Sequence, residues 1–349
     1  MLGGVLTFTV AFATSWGLTL PIRRMALHWG LVDHPSPRKI HRTPIPLFGG
    51  IAIYCGTVLA IALFVESRAR GQIFGILAAS TLLLIVGILD DRKLLHHQIK
   101  LFVAMPLAAL TLVALGVRTH VGSAFLPGPA GAALDIALTL LWVVGITAAY
   151  NIFDHMDGLA SGIAAMASLF FTVLAIREGQ VLVATLGAAV LGASLGFLGW
   201  NFNPAKIFMG DGGAMFLGFM MATLGLKLRL EDVPEATSWM IPVLLLIVPI
   251  FDTTLVSISR SRRGLLPFAS PGKDHTAHRL ANVGLGQRGA VLVLYAVGAG
   301  SGLVAWLVCR LSVAASYVVA GLVTLAVLAA LVALERFPYE PQSKPGTAT

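Results

Sequence analysis

Apolar residues in this chain come in long runs broken by short polar segments, without the one-sided stripe of a soluble helix. Set against their breakers, the runs fall at about 2–22, 47–65, 72–89, 98–116, 132–150, 158–176, 181–200, 213–226, 239–258, 289–309 and 313–334. Most have the length that crosses a hydrocarbon layer of ~30 Å as a helix. A backbone surrounded by lipid must satisfy its own hydrogen bonds, so each run is predicted helical. The expected fold is all-α: a polytopic integral membrane protein of ten or eleven transmembrane helices. No linker or internal repeat divides the chain, so residues 1–349 form one domain, with 336–349 a short polar tail.

Composition agrees. Hydrophobic residues make up 57% and charged residues 11%, whereas a water-soluble domain carries about a quarter charged. Cys55 and Cys309 both sit in apolar runs, which argues against a disulfide framework or a thiolate metal site. The first run has no basic segment before it and is followed by Arg23 and Arg24, so it reads as a retained span.

If that span enters from outside, 17 of the 24 Lys and Arg fall on the inner side. The N-terminus is therefore expected outside and the C-terminus in the cytoplasm. The net charge of +8 becomes a topology signal, helped by anionic lipid. Basic segments interleaved with stacking aromatics are missing, which excludes nucleic acid as a partner. The same map puts the polar segments 33–50, 90–98, 151–162, 201–213 and 260–288 on one face. One cytoplasmic site is the economical reading.

Asp90 and Asp91 end the third run, at a helix C-terminus where the dipole disfavours negative charge. Either they are a solvated helix end or a cation sits between them. Asn151, Asp154 and Asp157 recur every three residues in NIFDHMDGLASG, on one face if the segment is helical. An Asx-rich turn is the plainer alternative. In MGDGG, Asp211 is either an N-cap or a hard oxygen ligand for Mg²⁺ at a Gly-rich phosphate cradle. Upstream, Asn201 and Phe208 could hydrogen-bond and stack on a base. In PGKDHTAHRL, His275, His278 and Arg279 are cations fit to meet a pyrophosphate, or a basic loop on lipid headgroups. Zinc is disfavoured there because no third and fourth ligand stand at convincing spacing. Arg38, Lys39, His41 and Arg42 pose the same choice. Asp252, inside the ninth run, is a functional hypothesis by its position.

Together RKIHRTPIPLFGG, GILDDRK, NIFDHMDGLA, GWNFNPAKIFMGDGGAMFLGF and PIFDT with DHTAHRL resemble the polyprenyl-phosphate N-acetylhexosamine-1-phosphate transferases, over about residues 33–295. The resemblance implies an inner (plasma) membrane enzyme with a cytoplasmic active site. Its reaction would be Mg²⁺-dependent (or Mn²⁺-dependent) transfer of a sugar 1-phosphate from a UDP-sugar to undecaprenyl or another polyprenyl phosphate. By the same resemblance Asp211 holds the metal, and Asp90, Asp91 and Asp154 are catalytic carboxylates. Asn151, Asp157, Asn201 and Phe208 form the nucleotide wall. Arg42 contacts phosphate, and His275, His278 and Arg279 serve the sugar or pyrophosphate side. A homodimer is compatible with this reading.

Departures from the family pattern bear on the sugar. The usual N-L-x-D-G-L-D-G-L-A has Gly where this chain has His155, a further upstream Asn is replaced by Ala148, and H-x-H-H-R lacks its middle His at Ala277. The His-rich loop of the peptidoglycan enzyme is absent, which argues against a muramyl-pentapeptide substrate. Two rivals fit less well. A CDP-alcohol phosphotransferase needs a second Asp pair and an Ala-Arg that residues 159–170 lack. A transporter would place its carboxylates near the midplane rather than at one face.

Overall fold

The computed structural model describes residues 2–35, 43–66, 69–95, 97–266 and 272–339. Helices occupy the expected apolar runs: α1 Leu2–His28, α2 Gly50–Phe64, α3 Arg70–Asp91, α4 Lys100–Ala114, α5 Gly128–Phe153, α6 Leu159–Arg177, α7 Val181–Asn201 and α8 Gly210–Lys227. They continue with α9 Glu235–Leu245, α10 Ile247–Arg262, α11 Thr276–Val308 and α12 Val313–Glu335. Seven are long and apolar enough to cross a membrane, and eight if α9 and α10 count as one bent span. α2 and α4 are apolar but shorter. This is a mostly helical, multi-pass membrane protein.

Three boundaries differ from the expectation for physical reasons. The ninth run is broken at Leu246, where α9 and α10 meet at 74°. Pro249 has no N–H to give the carbonyl of Leu245, and its ring crowds that carbonyl. The tenth is preceded by a short helical segment from Thr276, and the two are separated by wider turns over Ala281–Leu285 and a kink at Gly284, φ +105°. Residues around 32–33 and 45–46 add a small antiparallel ribbon, Val32↔Pro46 and Asp33↔Ile45, where only loop was expected.

α8 is the axis of the bundle. It is apolar all round, which is the pattern of a helix with no exposed face, and Gly212 through Leu224 are buried without interruption. Small residues let its neighbours approach: a Cβ on Gly218 would come 2.8 Å from Cα of Thr147 in α5. α7 meets α1 through Gly192, Gly196 and Gly199, whose added Cβ atoms would run into Phe8 O, Phe12 O and the Trp16 ring. α12 lies outermost and exposes Val318, Leu322, Leu325, Leu328 and Val332, as a lipid-facing helix does.

Candidate active site

At the start of α8 three helices meet with almost no side chain between them. The Gly49 and Gly50 amides donate to Phe208 O and Met209 O, each at 2.9 Å, and the Phe208 amide donates to Pro46 O at 2.8 Å. A Cβ on Gly50 would lie 2.3 Å from Cα of Gly213, and one on Gly87 would lie 2.3 Å from the Gly212 nitrogen. Gly210 takes φ +76°, a conformation L-residues rarely adopt. Backbone thus packs on backbone, and the C-terminus of α3 arrives beside Asp211.

The result is a carboxylate cluster bridged by a lysine. Lys100 Nζ, at the start of α4, donates to Asp90 Oδ2 at 2.6 Å and to Asp211 Oδ2 at 2.5 Å. Asp91 Oδ1 accepts the Asp211 amide at 3.1 Å. Its Oδ2 is buried with no hydrogen bond among the described residues. Asp211 is not an N-cap: Met209 holds that position without a side-chain cap, so the capping alternative fails. Two carboxylates close on Lys100, and the third, Asp91, lies against the Asp211 amide with one acceptor oxygen left over among the described residues. Hard oxygen donors and surplus negative charge are what a divalent cation such as Mg²⁺ requires.

The second wall is the turn from α5 to α6, where Gly158 is left-handed at φ +76°. Asn201 Oδ1 accepts the Gly158 amide at 3.0 Å while its Nδ2 donates to Ile207 O at 3.0 Å. Asp157 Oδ2 accepts from Asn203 Nδ2 at 2.9 Å and from the Ala205 amide at 3.0 Å. Asn201 and Asp157, expected to touch the nucleotide, here shape the wall by tying two loops together. Asn151 Nδ2 is buried without a partner among the described residues. The Asp154 amide donates to Tyr150 O at 3.1 Å, while its carboxylate makes no hydrogen bond among the described residues. Burial first, then the charges of Asp211 and Asp157, push its pKa up to about 7.

The third wall is basic and rests on buried acids. Asp252, fully buried in α10, accepts His275 Nδ1 at 2.8 Å and the Thr276 amide at 2.7 Å, with His155 Nε2 at 3.8 Å. Asp274 is gripped by Arg260 at 2.8 and 3.0 Å and by Arg263 at 2.5 Å. Burial would raise the Asp274 pKa, but Arg260 and then Arg263 pull it down to about 2. A folded-state pKa below the unfolded one adds stability above about pH 4, lost only as pH falls through about 2, so this clamp persists at any working pH.

Arg279 requires a correction. It is fully buried and donates to Asp274 O, Ser259 Oγ and Leu334 O, and pairs with Glu335 at 2.9 Å. Its guanidinium anchors the end of α12 instead of meeting a pyrophosphate. Arg42 lies outside the described residues. Phe208 is half-buried at the edge of the α8 cradle.

A cavity of about 780 Å³ runs between α5 and α10 past the bend, lined by Leu138, Trp142, Ile146 and Ile250 and extending to Ala149 and Thr254. Along their helices Ala149 is two residues from Asn151 and Thr254 two from Asp252.

The family described as Glycosyl transferase family 4 matches residues 73–229. A Bacillus subtilis protein named "Probable undecaprenyl-phosphate N-acetylglucosaminyl 1-phosphate transferase" is 38% identical over 299 residues, 84% of this chain and 82% of that one. A Mycolicibacterium smegmatis decaprenyl-phosphate N-acetylglucosaminephosphotransferase is 36% identical, covering 81% of this chain and 75% of its own. A Yersinia pestis undecaprenyl-phosphate alpha-N-acetylglucosaminyl 1-phosphate transferase is 30% identical, covering 81% and 78%. This chain belongs to the polyprenyl-phosphate N-acetylhexosamine-1-phosphate transferase superfamily. It is a phosphotransferase.

The family match spans α3 to just past α8, so it contains Asp90, Asp91, Asp154 and Asp211 but not the basic wall. Sequence reading missed Lys100 as a site residue. Its signal was slight: one cation at the head of an apolar run, ten residues after Asp90. His155 stood out only as a departure from the pattern, and Asp252 only as a charge inside a span.

Proposed function

We propose that this transferase moves N-acetylhexosamine 1-phosphate, with N-acetylglucosamine the first candidate, from a UDP-sugar to polyprenyl phosphate and releases UMP. The observation that carries the reading is the bridging of Asp90 and Asp211 by Lys100, with Asp91 on the Asp211 amide and its Oδ2 without a hydrogen bond among the described residues. An oxygen of the lipid phosphate attacks the β-phosphorus, a new P–O–P bond forms, and the bond to the UMP oxygen breaks. Catalysis here is positioning and charge neutralisation. Asp90 accepts a proton from the lipid phosphate or keeps it ionised. Lys100 offsets charge on the phosphates, and Asp154, poised near neutral pH, holds or releases a proton beside them. Asp211 and Asp91 would hold Mg²⁺, which supplies Lewis-acid neutralisation of the pyrophosphate. The groove along α5 and α10 is mostly apolar, which suits the prenyl chain.

The test is radiolabelled UDP-N-acetylglucosamine with purified protein and undecaprenyl phosphate. Lipid-linked label and UMP in equal amounts are expected; neither product forming with any UDP-N-acetylhexosamine defeats the reading. Phe208 is assigned to the uracil face. Stacking on a base is typically worth ~1–3 kcal/mol, so Phe208→Ala should raise the donor KM about tenfold or more and leave kcat nearly unchanged. A collapsed kcat with the KM intact contradicts that role.

The site is assigned to the cytoplasmic face, because an N-terminus outside would put 17 of the 24 Lys and Arg on that side. Cysteines placed at residues 92–95 and 264–266 should resist impermeant thiol reagents added to intact cells. Rapid labelling from outside reverses the topology.

A further inference from the structure

Two departures from the family pattern, distant in sequence, meet in space. His155 belongs to the turn that carries Asp154 and Asp157, while the basic loop keeps His275 and His278 but has Ala277 between them. The His155 ring centroid lies 3.9 Å from that of His275, with 31° between planes, and 4.7 Å from that of His278. His275 and His278 are themselves 6.1 Å apart. An imidazole from the carboxylate turn therefore sits against both imidazoles of the basic loop.

Its surroundings give that packing a consequence. Asp252 engages His275 Nδ1 at 2.8 Å, which turns the other ring nitrogen of His275 away from the carboxylate. His155 covers one face of this oriented ring. Neither His155 nitrogen makes a hydrogen bond among the described residues, and Asp252 Oδ2 stands 3.8 Å from Nε2, so ring contacts do most of the holding. Burial, then the nearby His275, lower the His155 pKa to about 4, so the ring packs neutral against its two neighbours. The Phe153 ring meets it nearly perpendicular, with centroids 6.0 Å apart.

We propose that His155 is a positioning residue that locks the carboxylate turn to the basic loop and supplies the third imidazole that the loop lacks at Ala277. Through it, the group that orients the donor phosphates is fixed relative to Asp154. This rests on the transferase reading given above.

The experiment uses the full-length protein in detergent, with kcat, donor KM and acceptor KM measured separately for wild type, His155→Ala and His155→Phe. Thermal midpoint and bound Zn²⁺ are measured in parallel. His155→Ala should raise the donor KM roughly tenfold, about 1.4 kcal/mol, with the acceptor KM and thermal midpoint unchanged. His155→Phe keeps a flat ring at the contact and should recover most of that loss. Kinetics of His155→Ala equal to wild type overturn the inference, as does a fall in thermal midpoint that accounts for the loss. The donor atoms of His155, Asp252 and His275 lie within 4.8 Å of one another, so a metal centre is the competing outcome. One equivalent of Zn²⁺ in wild type, lost in both variants with Phe no better than Ala, would establish it and overturn positioning by stacking. A wild type that forms no lipid-linked sugar fails the transferase reading itself, whereas a turning-over wild type matched by His155→Ala fails only this inference.

Discussion

Asp211→Asn is expected to lower UMP release by roughly 10²–10³-fold or more, the cost of removing one preorganised charge-stabilising group. The substitution keeps the shape of the side chain and removes its charge. It should fold well, because Asp211 is not the cap of α8 and its carboxylate bonds to Lys100 rather than to the helix amides. Loss of an acid from a first helical turn costs only about 0.3–1 kcal/mol. In the variant Lys100 still has Asp90 at 2.6 Å, so the cluster stays assembled while its negative excess falls. If Mg²⁺ binds there, its affinity drops and raising Mg²⁺ should recover part of the rate. Asp90→Asn should also inactivate, yet respond little to added metal if Asp90 handles the lipid's proton. UMP release against Mg²⁺ concentration for the three proteins, with thermal midpoints, separates these roles. Near-wild-type turnover in stable Asp211→Asn protein would remove Asp211 from the metal site.

Why some of this was legible in the sequence and some was not follows from what each residue answers to. The helices were legible because lipid leaves a backbone one choice, and apolar length reports it directly. The break at Leu246 could have been read from Pro249 in the middle of a run, although Pro21 sits inside α1 without dividing it. The carboxylates were legible as local oddities: a pair at the wrong helix end, and an Asp among glycines. What one strand of text cannot show is which oddities share a site. Lys100 stands out in no motif of the sequence, and only α3 and α8 bring two carboxylates to its ammonium. Arg279 erred the other way. A cation in a conspicuous motif was expected to face substrate, but Ser259, Leu334 and Glu335, from two other helices, absorb its donors. Asn201 and Asp157 likewise belong to the site as fasteners of its walls.

Gly87→Ala should cost about 10²-fold in kcat although it touches no charged group. Its added Cβ would lie 2.3 Å from the nitrogen and 2.4 Å from the Cα of Gly212, and 2.6 Å from the carbonyl carbon of Asp211. These are backbone atoms in the most enclosed helix of the bundle, so no side chain can swing aside. α3 must withdraw from α8, and it carries Asp90 and Asp91 one turn further on. A displacement of ~1 Å in a reacting constellation is worth about 10² in rate, and overpacking a tight interface costs about 1–3 kcal/mol of stability. Gly71→Ala on the same helix is the control: nothing lies within 4 Å of its added Cβ. Helix propensity alone should leave that variant as active as wild type and up to about 1 kcal/mol more stable. The measurements are kcat and the Mg²⁺ concentration at half-maximal rate, taken on protein with a checked thermal midpoint. Gly87→Ala should need more Mg²⁺ and turn over more slowly, since Asp91 would retreat from the Asp211 amide it accepts at 3.1 Å. Folded Gly87→Ala with wild-type kcat and metal requirement would show that the close contact of α3 with α8 serves packing alone, and that the carboxylates reach their positions by another route.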